Sequence, residues 1–421
     1  MKCRHCQSEL AVSLIDLVTS PPSNAYLTQQ ELQATEKYFP LRVLVCTDCW
    51  LVQTEDYVGA NEFFSSDYAY FSSFSSSWLK HSEQYVANMA DRFDLDGQSY
   101  IVEVAANDGY LLQYAKALGI PCLGVEPTTS TADAARKKGI EIIEAFFGVE
   151  LANKMVEQGQ QADLTAANNV LAHVPDINDF VGGFAALLKP AGVSTFEFPH
   201  LLRLVSENQF DTIYHEHYSY LSLTAVKKIF ESNGLSVFDV EILSTHGGSL
   251  RVYAQRTDTG GHQTSENVIK ILDQEKSAGM TSVDFYAGFQ GKADRVKNDF
   301  ISFLIEAKRT GKTVAGYGAA AKGNTLMNYA GVRQDLLSYV VDLNPAKQDK
   351  FLPGSRIPIV GEKYIRKTQP DYVVIFPWNL RSEVVEQLSY IREWGAKFVV
   401  AVPELEAVSY THLTLPTNRE V

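Results

Sequence analysis

The densest chemistry in the chain lies at YHEHYSY, residues 214–220, where Tyr214, His215, Glu216, His217, Tyr218 and Tyr220 crowd six ionisable or phenolic groups into seven positions. Imidazole titrates near neutral pH, a neighbouring carboxylate can orient it, and a phenol can donate to a developing oxyanion, so the cluster suits general acid–base work. A metal reading is weaker. His215 and His217 are two apart, which splays them on a helix, whereas helical metal ligands sit at i and i+4. A second cluster consists of thiols: Cys3 and Cys6, then Cys46 and Cys49, account for four of the five cysteines. Two Cys-x-x-Cys pairs suit one structural zinc ion, closed by four thiolates with no position open to substrate. The remaining Cys122 reads as a small buried hydrophobe.

A third constellation is spread over a strand, a turn, a helix and a strand. YIVEVA runs into AANDGYLLQYAKAL, which carries Asn107, Asp108 and Gly109, and the next strand ends at Glu126 in GVEP. Glycine admits the close approach of a ligand to the backbone, the helix N-terminus beyond it is electropositive, and an acid at the second strand's end accepts both hydroxyls of a ribose. No GxGxxG is present to cradle a pyrophosphate. Glu103 ahead of a polar turn with a single glycine suits a cofactor with a positive centre and no phosphate, namely S-adenosylmethionine. Phe147, in FFG at 146–148, is a candidate ring for the adenine. Asn169 and His173, in NNVLAHVPD, fall at the carboxyl edge of a later strand, where open α/β sheets bind ligands.

The elements that must position these groups are legible as a change of period. Residues 1–75 hold the knuckles, a Pro21-Pro22 turn and FFSSDYAYFSSFSSSW, whose rings are too dense for a flexible linker and are expected to pack on another domain or cover a ligand. From 76 to 258, SYIVEVA, PCLGVE, ADLTAANNV and GVSTFEF alternate with helical stretches, implying a parallel sheet with crossover helices. Residues 259–310 read as a helical connector. A second alternation over 311–408 includes KTVAGYGAAAKGNTLMNYAG, SYVVDLNP and DYVVIFPW. The expected class is α/β: a small N-terminal zinc module followed by two Rossmann-like doubly wound parallel-sheet domains. SYTHLTLPTNREV at the end has no hydrophobic period and resembles an in-frame translation of a transposon-type sequencing adapter, so 409–421 is set apart as an expected adapter-derived tail.

A chain of 421 residues with 45% apolar content can bury several cores, and length suggests about three domains. A formal charge of −13 disfavours a phosphate-backbone binder, so nucleic acid is not an expected partner. No signal-peptide pattern opens the chain and no apolar run reaches the roughly 18–20 residues of a membrane span. A cytoplasmic protein is therefore expected, where thiols stay reduced and metal is the natural use of paired cysteines.

Taken in order, CxxC, CxxC, SSDYAYFSS, VEVAANDGYLL, GVEP, NNVLAHVPD, FDTIYHEHYSYLS, THGGSLRVY, GYGAAAKGNTLMNY and DLNPAKQDKFLPGSRIPI closely resemble the S-adenosylmethionine-dependent sugar C-methyltransferases, over essentially all of the chain to about Val408. The family acts on nucleotide-diphosphate 4-keto-deoxyhexoses. Carried over, the resemblance implies that His217 removes the proton from the carbon beside the ketone, with Tyr68, His173, Tyr214 and Glu216 holding the sugar and orienting charge. Where the family often has Gly-Ser before Asn-Asp-Gly, this chain has Ala105-Ala106. His246 and Arg251 in THGGSLR, and Lys322 in GYGAAAKGN, are candidates to receive the diphosphate, through backbone N–H groups or a cationic side chain. Asp342, after the next strand, is a weak candidate ribose ligand. Two further readings stay open on the residues: a non-catalytic nucleotide-sugar-binding scaffold, and an NAD-dependent sugar oxidoreductase built on the second alternation.

Overall fold

The structure is a computed structural model and describes residues 1–57 and 71–407. It forms two units: Met1–Asp16 with Leu41–Ser206 and His215–Ala287, and Leu17–Pro40 with Glu207–Tyr214 and Gly288–Val421. The boundaries expected at 75, 258 and 310 are linear, whereas these units interleave, because segments such as 17–40 and 207–214 are assigned by long-range packing that local periodicity does not record.

The N-terminal strands are β1 (Val12–Ser20), β2 (Phe39–Val45) and β3 (Val52–Thr54), of which the first unit takes β1 to Asp16, β2 from Leu41 and all of β3. Helix α1 (Ser76–Arg92) starts where the Ser75 side chain accepts from the Trp78 N–H, and it buries Ser82, Tyr85, Val86 and Met89 at helical spacing. The alternation then appears as expected: β4 (Ile101–Val104), α2 (Leu112–Ala117), β5 (Cys122–Val125), α3 (Thr129–Lys137), β6 (Glu141–Ile143), α4 (Val149–Glu157), β7 (Ala162–Asn168), α5 (Ile177–Leu187) and β8 (Leu188–Pro199). After α6 (Leu201–Ser206) come β9 (Ser219–Tyr220), α7 (Leu223–Ser232), β10 (Leu235–Leu243), β11 (Ser249–Arg256), α8 (Glu266–Ser277) and α9 (Val283–Tyr286).

Seven of these strands form one sheet in the order β10-β11-β8-β7-β4-β5-β6. Strands β8, β7, β4, β5 and β6 run parallel, and β11 and β10 add an antiparallel edge. All four residues of β4 are buried, as a strand covered by helices on both faces requires. Phe180, Phe184, Phe196 and Phe230 form a chain of tilted and edge-on rings at 5.1, 4.8 and 4.6 Å, which joins α5, β8 and α7. Each such pair adds about 0.5–1.5 kcal/mol beyond its buried area. A second sheet has the order β1-β2-β3-β9.

The second unit contains α10 (Phe289–Arg309), β12 (Val314–Tyr317), α11 (Ala321–Ala330), β13 (Val340–Val341), β14 (Ile359–Val360), α12 (Lys363–Thr368), β15 (Tyr372–Ile375), α13 (Arg381–Gln387), β16 (Lys397–Val400) and β17 (Glu406–Ala407). Its sheet order is β14-β13-β12-β15-β16-β17, parallel except for β17. Among the described residues no helix is long and apolar enough to cross a membrane.

Candidate active site

In the first sheet the order reverses between β4 and β7, and a ligand crevice is expected at the carboxyl edge there. Beyond β4 the backbone turns sharply, with φ of +62° at Ala105, +49° at Asn107 and +74° at Gly109. Glu126, at the end of β5, closes the turn: its Oε2 accepts from the Asn107 N–H and its Oε1 from the Thr128 N–H, both at 3.0 Å. A carboxylate has about four acceptor positions, so each oxygen keeps capacity for a ribose hydroxyl. Glu103 lies fully buried on β4, and burial pushes its carboxyl well above the ordinary range.

Four of the expected cofactor residues have partners within the protein. Asn107 and Asp108 turn side-chain oxygens to the main chain of the segment ahead of α1: Asn107 Oδ1 accepts from the Ser72 N–H at 2.9 Å, and Asp108 Oδ2 from the Ser73 N–H at 3.3 Å, with Lys138 Nζ 3.4 Å away. They hold this segment against the turn. Gly109 answers to packing, since a Cβ there would meet Ile140 Cδ1 at 2.4 Å and Ala135 Cβ at 3.2 Å. Phe147 is half-buried and packs against core rings, 4.8 Å from Phe184 and 5.8 Å from Phe180. Its neighbour Phe146, 51% exposed just beyond β6, is the ring that sequence reading passed over.

The β7 edge carries the histidines. Asn169 has φ +55° and donates its N–H to the Glu197 carbonyl at 2.6 Å. His173 Nδ1 lies 2.8 Å from the Glu216 carbonyl oxygen. That oxygen only accepts, so Nδ1 bears the proton, and burial lowers the ring's pKa to about 4, keeping it neutral with Nε2 unprotonated. The His217 ring stands edge-on to His173 at 4.6 Å and to Tyr220 at 6.0 Å. His215 and Glu216 form a turn ahead of β9, not a helix. Tyr214 falls in the second unit. Tyr68 lies outside the described residues.

The His173 shift has a pH consequence. An ordinary histidine at 6.5 in the unfolded chain binds a proton before the folded one does at about 4, so stability falls as pH drops through that window. Thermal melts from pH 7 to 4 should show a declining Tm, with a shallower slope in His173→Asn. Equal slopes would assign the acid sensitivity to other groups.

Arg251 is not a free cation for a diphosphate. It is 4% exposed and pairs at 3.0 Å with both Glu197 and Glu241. His81 Nε2 sits 2.9 Å from Glu197 Oε2, and Thr245 donates to Glu197 Oε1 at 2.8 Å. Although burial pushes Glu197 up, His81 and Arg251 hold it below the usual carboxylate range. The signal available in sequence was a Glu and an Arg inside otherwise apolar strands, which demand partners. His246, at φ +54°, sets its ring edge-on to Trp78 at 5.1 Å, and Trp78 stacks on His81 at 4.9 Å.

In the second unit Lys322 Nζ donates to Asn379 Oδ1 at 2.9 Å and lies 4.1 Å above the Trp378 ring. Burial lowers its pKa to about 8 against the pull of Asp211, whose own carboxyl burial pushes up to about 6. Asp211 Oδ2 accepts from Trp378 Nε1 at 2.8 Å. Asp342 repeats the Glu126 device: its oxygens accept from the Ala319 and Asn344 N–H groups, each at 2.8 Å.

The cysteines converge as their spacing implies. The sulfurs of Cys3, Cys6, Cys46 and Cys49 lie within 4.8 Å of one another. A tetrahedral zinc site with Zn–S near 2.3 Å has S–S edges of about 3.8 Å, which this set fits. The two knuckles share one turn: the Gln7 N–H bonds to the Cys3 carbonyl and the Trp50 N–H to the Cys46 carbonyl, both at 3.0 Å, with φ +64° and +66° at Gln7 and Trp50.

Family models match along the chain: "Putative zinc binding domain" over residues 3–64, "Methyltransferase domain" over 78–240 and "C-methyltransferase C-terminal domain" over 244–403. C-methyltransferase NovU of Streptomyces niveus is 33% identical over 408 residues, which is 97% of this chain and 97% of that protein. A ubiquinone biosynthesis O-methyltransferase of Chelativorans is 27% identical over 94 residues, covering 22% of this chain and 37% of its own. Among solved structures, magnesium protoporphyrin IX methyltransferase of Synechocystis is 18% identical, covers 42% of this chain and 79% of that one, and has a TM-score of 0.33. The chain belongs to the C-methyltransferase family, as a class I S-adenosylmethionine-dependent enzyme with a four-cysteine structural zinc site.

Proposed function

We propose that the enzyme methylates C3 of a nucleotide-diphosphate 4-keto-deoxysugar through an enolate. The observation that carries this reading is the His173–His217 pair, with His173 beyond β7, the strand next to β4 in the sheet, and both in the same unit. A saturated carbon is no nucleophile, but a neighbouring ketone lets the charge left by proton removal rest on oxygen. His217 is the proposed base. Neutral His173, with Glu216, Tyr68 and Asn169, would hold the sugar and orient charge, and His246 is a further candidate contact; Tyr214, in the second unit, is a candidate on the resemblance alone. When bound, S-adenosylmethionine supplies an electrophilic methyl group on a sulfonium centre. Glu126 would bind its ribose, Phe146 its adenine and Glu103 its methionine end, across the carboxyl edge from β6 to β4. Within the second unit, helix α11 has no side-chain N-cap and Lys322 lies at its start, which supports Lys322 as an anion ligand.

Product mass spectrometry over a panel of nucleotide keto-sugars with labelled cofactor tests the reaction; transfer of label to oxygen, or to no sugar, would end this reading. The cofactor assignments are testable by calorimetry. Glu126→Ala should weaken S-adenosylmethionine binding by about 10-fold or more, the scale of hydrogen bonds to a charged group. Phe146→Ala should weaken it by about 5- to 100-fold, the scale of base stacking. Phe147→Ala should instead cost stability, by less than the roughly 3–5 kcal/mol of a fully buried ring because this one is half-buried. Wild-type affinity in Glu126→Ala would remove it from the site.

A further inference from the structure

We propose that Arg4, inside the first knuckle, and Thr54, on β3, are positioning residues for the His173–His217 pair, so that the four-cysteine clip sets the geometry of the acid–base group. The proposal rests on the reading of these histidines given above, and all the contacts lie within the first unit. The Arg4 side chain is only 5% exposed. Its guanidinium donates to the Pro175 carbonyl at 3.0 Å, two residues beyond His173, and to the Thr54 carbonyl at 3.0 Å and Asp56 Oδ1 at 2.8 Å. It also stands 5.2 Å from the centre of the Tyr218 ring, next to His217. One planar fork thus ties both histidine-bearing loops to β3, which a lysine ammonium cannot do with the same geometry.

Thr54 completes the link. Its hydroxyl donates to the His217 carbonyl at 2.9 Å and its N–H to the Tyr218 carbonyl at 3.1 Å. The Tyr218 N–H in turn reaches the Ala172 carbonyl at 2.8 Å, so the main chains flanking His217 and His173 are bonded to each other. On the thiol side, Gln53 accepts from the Arg4 N–H at 2.9 Å and its amide approaches Cys3 Sγ at 3.2 Å. His5, the other residue between Cys3 and Cys6, pairs with Asn178 through its ring and its carbonyl at 2.8 and 2.9 Å. Of the two residues enclosed by the first knuckle, Arg4 therefore docks on the loop after β7 and His5 on the first turn of α5 that follows it. A clip whose role ended at stability would need neither contact.

The test uses the full-length zinc-loaded protein with Arg4→Met, Arg4→Lys, Thr54→Val and Thr54→Ser. Zinc content, S-adenosylmethionine affinity, kcat and KM are measured, together with the nuclear Overhauser contact between the His173 and His217 rings. Arg4→Met and Thr54→Val should keep one zinc and wild-type cofactor affinity, lose the inter-ring contact, and lower kcat far more than they change KM. Displacement of about 1 Å costs on the order of 10²-fold in rate. Thr54→Ser, which keeps the hydroxyl, should restore both signals; Arg4→Lys should not. An unchanged inter-ring contact in Thr54→Val overturns the proposal, as does zinc loss in Arg4→Met with a wild-type Thr54→Val. A contact that is lost as expected, in a protein that methylates no keto-sugar, leaves the positioning intact and removes the reaction.

Discussion

His217→Ala is expected to bind S-adenosylmethionine like the parent protein while losing exchange of the sugar C3 hydrogen with deuterated water, and methyl transfer with it, by about 10²-fold or more. Exchange is the sharper reading because it reports proton removal alone. The side chain is partly exposed and is not in the apolar cores, so its removal leaves the fold and the Glu126 edge undisturbed. The neighbouring ring gives the alternative outcome a definite meaning. His173 is neutral with its proton fixed on Nδ1 by the Glu216 carbonyl, which makes its Nε2 a proton acceptor at neutral pH. Retained exchange in His217→Ala with methyl transfer lost would therefore move the base to His173 and leave His217 to place the sugar. Proton NMR of the exchanging sugar distinguishes the two.

What the sequence disclosed and what it hid divide along a physical line. Parallel strands buried on both faces read as apolar runs, so IVEV and VAGY announce β4 and β12, and the thiol spacing of the knuckles is itself the geometry of the site. Which of two consecutive rings enters the core is not local information: Phe147 is taken by Phe180 and Phe184, and Phe146 is left at the edge. Arg251 looked like a cation awaiting an anion because its partners, Glu197 and Glu241, come from other strands. Gly109 is required by φ and by packing against Ala135 and Ile140, a need that sequence spells in the same way as a ligand contact. Arg4 carries no local sign of its partners, since nothing near it in sequence names Pro175 or Thr54.

Cys46→Ser is expected to take the protein from one zinc per chain to none and to lower its Tm by tens of degrees or leave the module unfolded. Structural zinc in small modules contributes about 10–16 kcal/mol in apparent binding free energy, comparable to the whole stability of an ordinary domain at about 5–15 kcal/mol. The cysteine chosen matters. Cys46 is fully buried at the end of β2, and its knuckle runs directly into β3, the strand paired with β9 at Val52–Tyr220 and Gln53–Ser219. Elemental analysis and a thermal melt give the first reading, and an unchanged Tm with zinc absent would show that the clip contributes no stability. Cofactor affinity gives the second. The turn after β4 is closed by Glu126 from β5, without a residue of the knuckles. If the metal-free protein still binds S-adenosylmethionine but no longer exchanges the sugar hydrogen, the zinc acts on the histidines and not on the cofactor edge; if both are lost together, the first unit folds as one body around the metal.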